Sequence, residues 1–210
     1  MVLYFCALTG FAVAALLIAE YRQWRLGIWI AKPLAAAGFV GAGLAAGALG
    51  SAYGRWILAA LVLSWLGDVF LMPRSCERSF RAGVLSFLLG HVAFVAAFAV
   101  RGLDPVASGV AAALALGPGL LALRWLQPYI SEELRTPIRA YMAVISAMLV
   151  CAAGAAGSSG DGRILIGALM FYVSDLSVAR NRFVVARFSN KAWGLPLYFA
   201  AQLVLAWTVT

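Results

Sequence analysis

No residue between Lys32 and Arg55 carries a formal charge, and none does between Arg81 and Arg101 or between Arg139 and Asp161. Each of these stretches is close to the roughly 20 apolar residues that one helix needs to cross a bilayer. Charged and turn-forming residues cut the whole chain into eight such spans, near 1–19, 31–49, 55–72, 82–100, 105–126, 137–157, 163–179 and 192–209. Short loops join them, so one transmembrane domain over 1–210 is expected, without a soluble part. Composition supports the same reading: 64% of the 210 residues are hydrophobic and 11% charged. A soluble domain needs about twice that charge to face water. In lipid every backbone group must be satisfied internally, which leaves helices or a closed barrel. Barrel strands alternate polar and apolar residues, and Ala35 to Leu49 does not. The expected class is all-α, a polytopic bundle of eight transmembrane helices.

Several functions are excluded at this level. One histidine rules out a histidine-rich metal site. Cys6, Cys76 and Cys151 show no paired spacing, so neither a disulfide framework nor a zinc site is indicated, and no metal or cofactor is expected. The net charge of +8 is dispersed at span ends rather than gathered in a nucleic-acid-binding stripe. The first span lacks the basic leader and cleavage site of a signal peptide and is expected to persist as a helix.

Basic residues also write the orientation. Thirteen of them lie at the first, third, fifth and seventh loops: Arg22, Arg25, Lys32, Arg74, Arg78, Arg81, Arg124, Arg135, Arg139, Arg180, Arg182, Arg187 and Lys191. Three (Arg55, Arg101 and Arg163) lie at the others. The positive-inside rule then places both termini outside the cytoplasm, in a bacterial inner membrane. Gly38, Gly41, Gly43 and Gly47 would let helix backbones approach closely. The halves echo each other in Pro33 and Pro137, in Asp68 and Asp175, and in Gly83-Phe87-His91 and Gly194-Tyr198-Gln202. A parallel 4+4 internal repeat is one reading of that echo.

Six of the eight acidic residues fall at span edges and read as solvated charges. Asp68 and Asp175 do not. They lie four residues before Met72 and five before Arg180, roughly 6–8 Å inside their spans. A carboxylate there costs on the order of 2.5–3.5 kcal/mol and is usually functional or paired. Their matching positions suggest one shared site; the alternative is a buried ion pair, for instance with Lys32. Ser64 shares the helix face of Asp68, Ser174 adjoins Asp175, and Asn181 follows. His91 lies ten residues beyond Arg81, roughly 15 Å along the helix and about two turns deeper than the carboxylates. An orienting or proton-relay role suits it. Tyr141, Tyr198 and Gln202 could supply hydroxyl and amide partners, or simply join helices.

Taken in order, Lys32-Pro33, Ser64-x-x-Gly67-Asp68-x-x-Leu71-Met72, Phe80-x-x-Gly83, Phe87-x-x-Gly90-His91, Gly167-Ala168-x-x-Phe171-x-x-Ser174-Asp175 and Asn181-x-Phe183 resemble the YhhN family. These are eight-helix membrane proteins that include the lysoplasmalogenases. One departure is Phe94, where that pattern leads us to expect a tyrosine three residues after the histidine.

The resemblance implies hydrolysis of the vinyl ether of a lysoplasmalogen, giving a fatty aldehyde and glycerophosphoethanolamine or glycerophosphocholine. Water and a lysophospholipid drawn from the bilayer would be the reactants, with no cofactor. Such hydrolysis asks for one protonated and one ionised carboxyl, as glycosidases divide the roles. Asp68 and Asp175 are the expected catalytic pair, with Lys32, Ser64, His91, Tyr141, Ser174, Asn181, Tyr198 and Gln202 binding or orienting substrate. The headgroup phosphate would meet Lys32, Arg180 or Lys191. A different class of function stays open from the residues alone: a proton- or ion-coupled transporter with the same two aspartates as its ion site.

Overall fold

The computed structural model describes residues 1–73 and 76–210; Arg74, one of the basic residues that mark orientation, lies outside the described residues. Eight α-helices follow one another: α1 (Val2–Tyr21), α2 (Arg25–Ala45), α3 (Ala52–Phe70), α4 (Glu77–Arg101), α5 (Pro105–Leu126), α6 (Glu132–Ser159), α7 (Gly162–Ala179) and α8 (Phe188–Trp207). The expected spans are recovered with displaced edges, most at the start of α2, which begins at Arg25, and then at α4 and α6, which begin at Glu77 and Glu132. Seven of the helices, α1 to α7, are long and apolar enough to cross a membrane. The eighth has the length, but Ser189, Asn190, Lys191 and Gln202 lower its apolarity.

Local sequence explains where helices start and stop. The Ser51 side chain accepts from the Gly54 N–H at 2.9 Å, and Asp104, followed by Pro105, accepts from Ala107 N–H. Both are N-caps that satisfy orphan donors at a first turn. At the start of α7, Asp161 takes two oxygen contacts from the Arg163 guanidinium, at 2.9 and 3.0 Å. That fork holds the Asp161 carboxyl below the usual carboxylate range. Gly47 ends the α2 region at φ +88°, a left-handed conformation that a side chain would strain.

The ring of packed neighbours runs α1, α2, α3, α4, α6, α7 and α8, and α8 closes it against α1, α2 and α3. Small residues set the spacing, as their pattern predicts: Gly38 lies against Thr9 of α1, and a Cβ at Gly43 would come 2.9 Å from Leu61 of α3. Phe39, Phe94, Phe98, Phe171 and Phe199 are fully buried within, while Leu3, Phe11, Ile18, Leu114 and Leu121 face outward, as a lipid surface allows. The helix α5 stands apart. It packs on α6 along its length, and only Gly119 and Leu126 of it are buried.

Two expectations about charges need correction. Glu20 was expected to be solvated at a span edge. Its carboxylate instead receives Lys191 Nζ at 2.6 Å, tying α1 to α8, with 10% of the side chain exposed. Asp161 is likewise engaged, by Arg163. Helix ends that meet across the bundle leave these carboxylates a partner nearer than bulk water.

Candidate active site

Two carboxylate clusters form toward one end of the bundle. The first joins α2, α3 and α8. Asp68 is 3% exposed, and Lys32 Nζ stands 3.0 Å from its Oδ1 while also donating to its backbone carbonyl at 3.2 Å. The other oxygen, Oδ2, accepts from the Tyr198 hydroxyl at 2.7 Å. Proline helps to place the lysine. Pro33 has no N–H to give the carbonyl one turn earlier, and its own carbonyl accepts from Trp65 Nε1 of α3 at 3.3 Å. That bond fixes the turn carrying Lys32 against the helix carrying Asp68.

The second cluster joins α4, α6 and α7. Tyr141 donates to Asp175 Oδ2 at 2.7 Å, and His91 Nε2 stands 3.8 Å from the same oxygen. Buried to 1%, His91 commits Nδ1 to the Phe87 carbonyl at 2.7 Å. A carbonyl only accepts, so Nδ1 carries the hydrogen and the neutral ring presents a lone pair at Nε2. Asp175 is the more open carboxylate, with 18% of its side chain exposed.

His91 was expected about two turns deeper than both aspartates, and for Asp175 that offset does not hold. The 3.8 Å approach of the two side chains shows this, and α7 itself continues through a π-helical turn, Arg180–Val184, rather than stopping near Arg180. Asp175 therefore lies nine residues before the end of the extended span Gly162–Val184, roughly 13 Å inside it.

An aromatic wall joins the two clusters. Phe171 packs on the His91 ring at 4.6 Å between centroids and on Tyr198 at 5.4 Å, and Phe87 meets Tyr198 at 5.9 Å. Gly67, beside Asp68, makes room for that wall: a Cβ there would come 2.6 Å from the Phe87 ring. The role of Phe171 was not singled out from sequence, although its position four residues before Asp175, on the same helix face, was the available signal.

The remaining expected residues divide. Ser64 and Gln202 are fully buried, one turn from Asp68 and Tyr198 on their own helices. The Ser64 hydroxyl and both amide atoms of Gln202 lack a hydrogen-bond partner among the described residues. Buried polar groups without partners are uncommon and mark places where a ligand or water can bond. Ser174 is not free in this way, because its hydroxyl donates to the Phe171 carbonyl at 2.7 Å. Asn181 is placed elsewhere. It accepts from Asn190 in a knot that also takes Arg180 and the Val185 carbonyl, and among the described residues it makes no hydrogen bond to either aspartate. Of the cations expected at a headgroup, Lys32, Arg180 and Lys191 are engaged with Asp68, Asn190 and Glu20.

Known proteins are similar to this chain over most of its length. The lysoplasmalogenase of Mycobacterium bovis is 32% identical over 160 residues, 72% of this chain and 59% of that protein. Lysoplasmalogenase TMEM86A of Homo sapiens is 31% identical over 156 residues, covering 71% of this chain and 63% of its own length. The Bos taurus TMEM86A lysoplasmalogenase is 30% identical over a stretch of the same length. The chain thus spans about three fifths of the curated relatives it matches. No solved structure matches it. The model of the YhhN family matches residues 27–209, from the start of α2 through α8 and across both carboxylate clusters; the chain belongs to the YhhN family.

Proposed function

We propose that this protein is an integral membrane hydrolase that cleaves the vinyl ether of lysoplasmalogens. The products are a fatty aldehyde and glycerophosphoethanolamine or glycerophosphocholine. The observation that carries the reading is the unequal setting of the two aspartates. Asp68 has an ammonium at 3.0 Å, whereas Asp175 is held by a tyrosine hydroxyl and faces an imidazole. A reaction that needs one anion and one acid asks for that inequality. Relatives named lysoplasmalogenase support the substrate class.

In this mechanism Asp175 gives its proton to the β-carbon of the vinyl ether. The double bond's electron pair forms the new C–H bond, and the adjacent carbon becomes an oxocarbenium ion. Asp68, ion-paired with Lys32, steadies that cation together with the π-faces of Phe87, Phe171 and Tyr198. Water adds to the cation and returns a proton to Asp175, with His91 as the relay. The hemiacetal then collapses to aldehyde and alcohol, so the net change is addition of one water. Ser64 and Gln202 are the groups we assign to water or to the glycerol oxygens. No step calls for a metal.

The eight helices act in this reading as one transmembrane domain in a bacterial inner membrane, with both termini outside the cytoplasm. A parallel 4+4 repeat accords with α3 packing on α2 and α4 as α7 packs on α6 and α8. The transporter reading of the same aspartates draws no support from the named relatives. The test is direct: purified protein in detergent is incubated with lysoplasmalogen and free aldehyde is measured. Aldehyde release by the wild-type chain, lost in Asp175→Asn, is the expected result; no release from folded wild-type protein would overturn the reading.

A further inference from the structure

The cations expected to meet a phosphate are engaged, but Arg124 and Arg139 pair with no carboxylate among the described residues, and beside them Arg135 keeps one N–H free. At the junction of α5 and α6 lies a cleft of about 210 Å³ whose lining includes Arg124, Arg135 and Arg139 with Leu120, Leu123 and Ile130. Arg124 is on the last turn of α5. Arg135 and Arg139, four residues apart, share one face of α6. Among the described residues, the only carboxylate bonded to any of the three is Glu132, which accepts from Arg135 Nη1 at 3.3 Å. The Arg135 Nε is buried without a hydrogen-bond partner. A buried, unpartnered guanidinium N–H beside two unpaired guanidinium groups is a donor set waiting for an anion.

We propose that this cleft binds the phosphodiester headgroup of an anionic membrane phospholipid, at a site separate from the aspartate clusters. Guanidinium forks match phosphate oxygens in pairs, which a lone ammonium does not. The apolar part of the lining identifies the source of the phosphate. Leu120 is 52% exposed, and Leu116, one turn earlier on the same face of α5, is exposed as well, a strip on which an acyl chain can lie. The site also has a structural use. The helix α5 has only two buried residues and one main neighbour, α6, so a headgroup bonded to Arg124 on one helix and Arg139 on the other would clamp it in place. Tyr141 points to Asp175 from a different face of α6, which keeps this site off the catalytic path.

Native mass spectrometry of the purified full chain, released from a neutral detergent, tests the assignment with three probes: phosphatidylglycerol, diacylglycerol with the same chains, and inorganic phosphate. The expected result is retention of phosphatidylglycerol by the wild type, with diacylglycerol and inorganic phosphate retained at least about tenfold less. The same loss is expected for phosphatidylglycerol in Arg124→Gln/Arg139→Gln, because each fork removed is a charge-assisted contact. Arg124 and Arg139 are exposed, so folding is spared; the single Arg139→Gln serves where the double variant expresses poorly, with a smaller loss in the same direction. Arg22→Gln/Arg25→Gln, at an exposed loop on the same side, should retain the lipid. Equal retention of diacylglycerol would show that the acyl strip alone binds. Equal retention of inorganic phosphate would show a free-anion site, and unchanged retention in the arginine variants would place the lipid elsewhere; each of the three overturns the proposal. The readout is binding, so it stands or falls apart from vinyl ether hydrolysis.

Discussion

Nε2 of His91 stands 3.8 Å from Oδ2 of Asp175, and it is the one ring nitrogen that His91 leaves uncommitted. That distance is just beyond hydrogen-bond reach, and Nε2 has no hydrogen-bond partner among the described residues. The proposed mechanism uses this pair to hold one proton and relay it, with a small approach of the two side chains.

His91→Gln removes the titratable nitrogen while leaving a polar group of similar reach. We expect kcat to fall about tenfold or more, less than the ~10²-fold of losing the acid itself, with KM little changed. Steady-state kinetics on a variant with wild-type melting decides this. A change in KM alone would make His91 a binding residue instead.

Gly67 is where the backbone of α3 meets the Phe87 ring. Gly67→Ala places a methyl 2.6 Å from that ring, and Phe171 and Tyr198 behind it block retreat. Overpacking of this kind costs typically 1–3 kcal/mol, so a lower melting temperature in detergent is expected, with reduced turnover because the wall between the clusters moves. Wild-type melting and activity would show that the wall yields freely.

Much of this was legible in the sequence, for physical reasons. A bilayer punishes charge, so Asp68 and Asp175 stood out in any apolar span, and helix periodicity put Ser64 on the face of Asp68. What was not legible is how helix ends bend. Nothing in the loop after Asp175 announces that α7 runs on through the π-helical turn Arg180–Val184. Partner choice was equally hidden: Lys191 selects Glu20, far off along the chain, and leaves Arg124 and Arg139 without an ion pair among the described residues. Pairing across a bundle depends on packing order, which spacing along one chain does not encode.

Orientation remains a matter for a reporter. The basic residues gather at the first, third, fifth and seventh loops, and the positive-inside rule predicts a cytoplasmic location for those loops. A phosphatase fused after Thr210 should be active and a cytoplasm-dependent fluorescent protein dark. The opposite pattern would invert the topology and with it the leaflet from which substrate enters.

Chelation separates this mechanism from metal-assisted hydrolysis. Among the described residues no three His, Cys, Asp or Glu side chains cluster as a metal ion would require. Aldehyde release should survive EDTA undiminished. Loss of activity under chelation, restored by one metal, would replace the two-carboxylate scheme.

The two aspartates should fail in different ways when each is changed to asparagine. Asp175→Asn removes the proton donor but keeps an oxygen for the Tyr141 hydroxyl, so turnover should drop ~10²-fold or more with melting nearly unchanged. Asp68→Asn also removes the anion, and it leaves the Lys32 ammonium, 14% exposed, without its counter-ion. Breaking one partner of a buried pair costs about 3–5 kcal/mol, so this variant should melt lower as well as turn over slowly. Adding Lys32→Met takes away the stranded charge. In Lys32→Met/Asp68→Asn melting should recover while hydrolysis does not, because the cation formed on the substrate still lacks its carboxylate. Thermal melting and aldehyde release on the four proteins give the answer. If the double variant regains activity together with stability, Asp68 serves the fold alone and the reaction runs on Asp175 and His91. If Asp175→Asn keeps most of its hydrolysis, the acid has been assigned to the wrong residue.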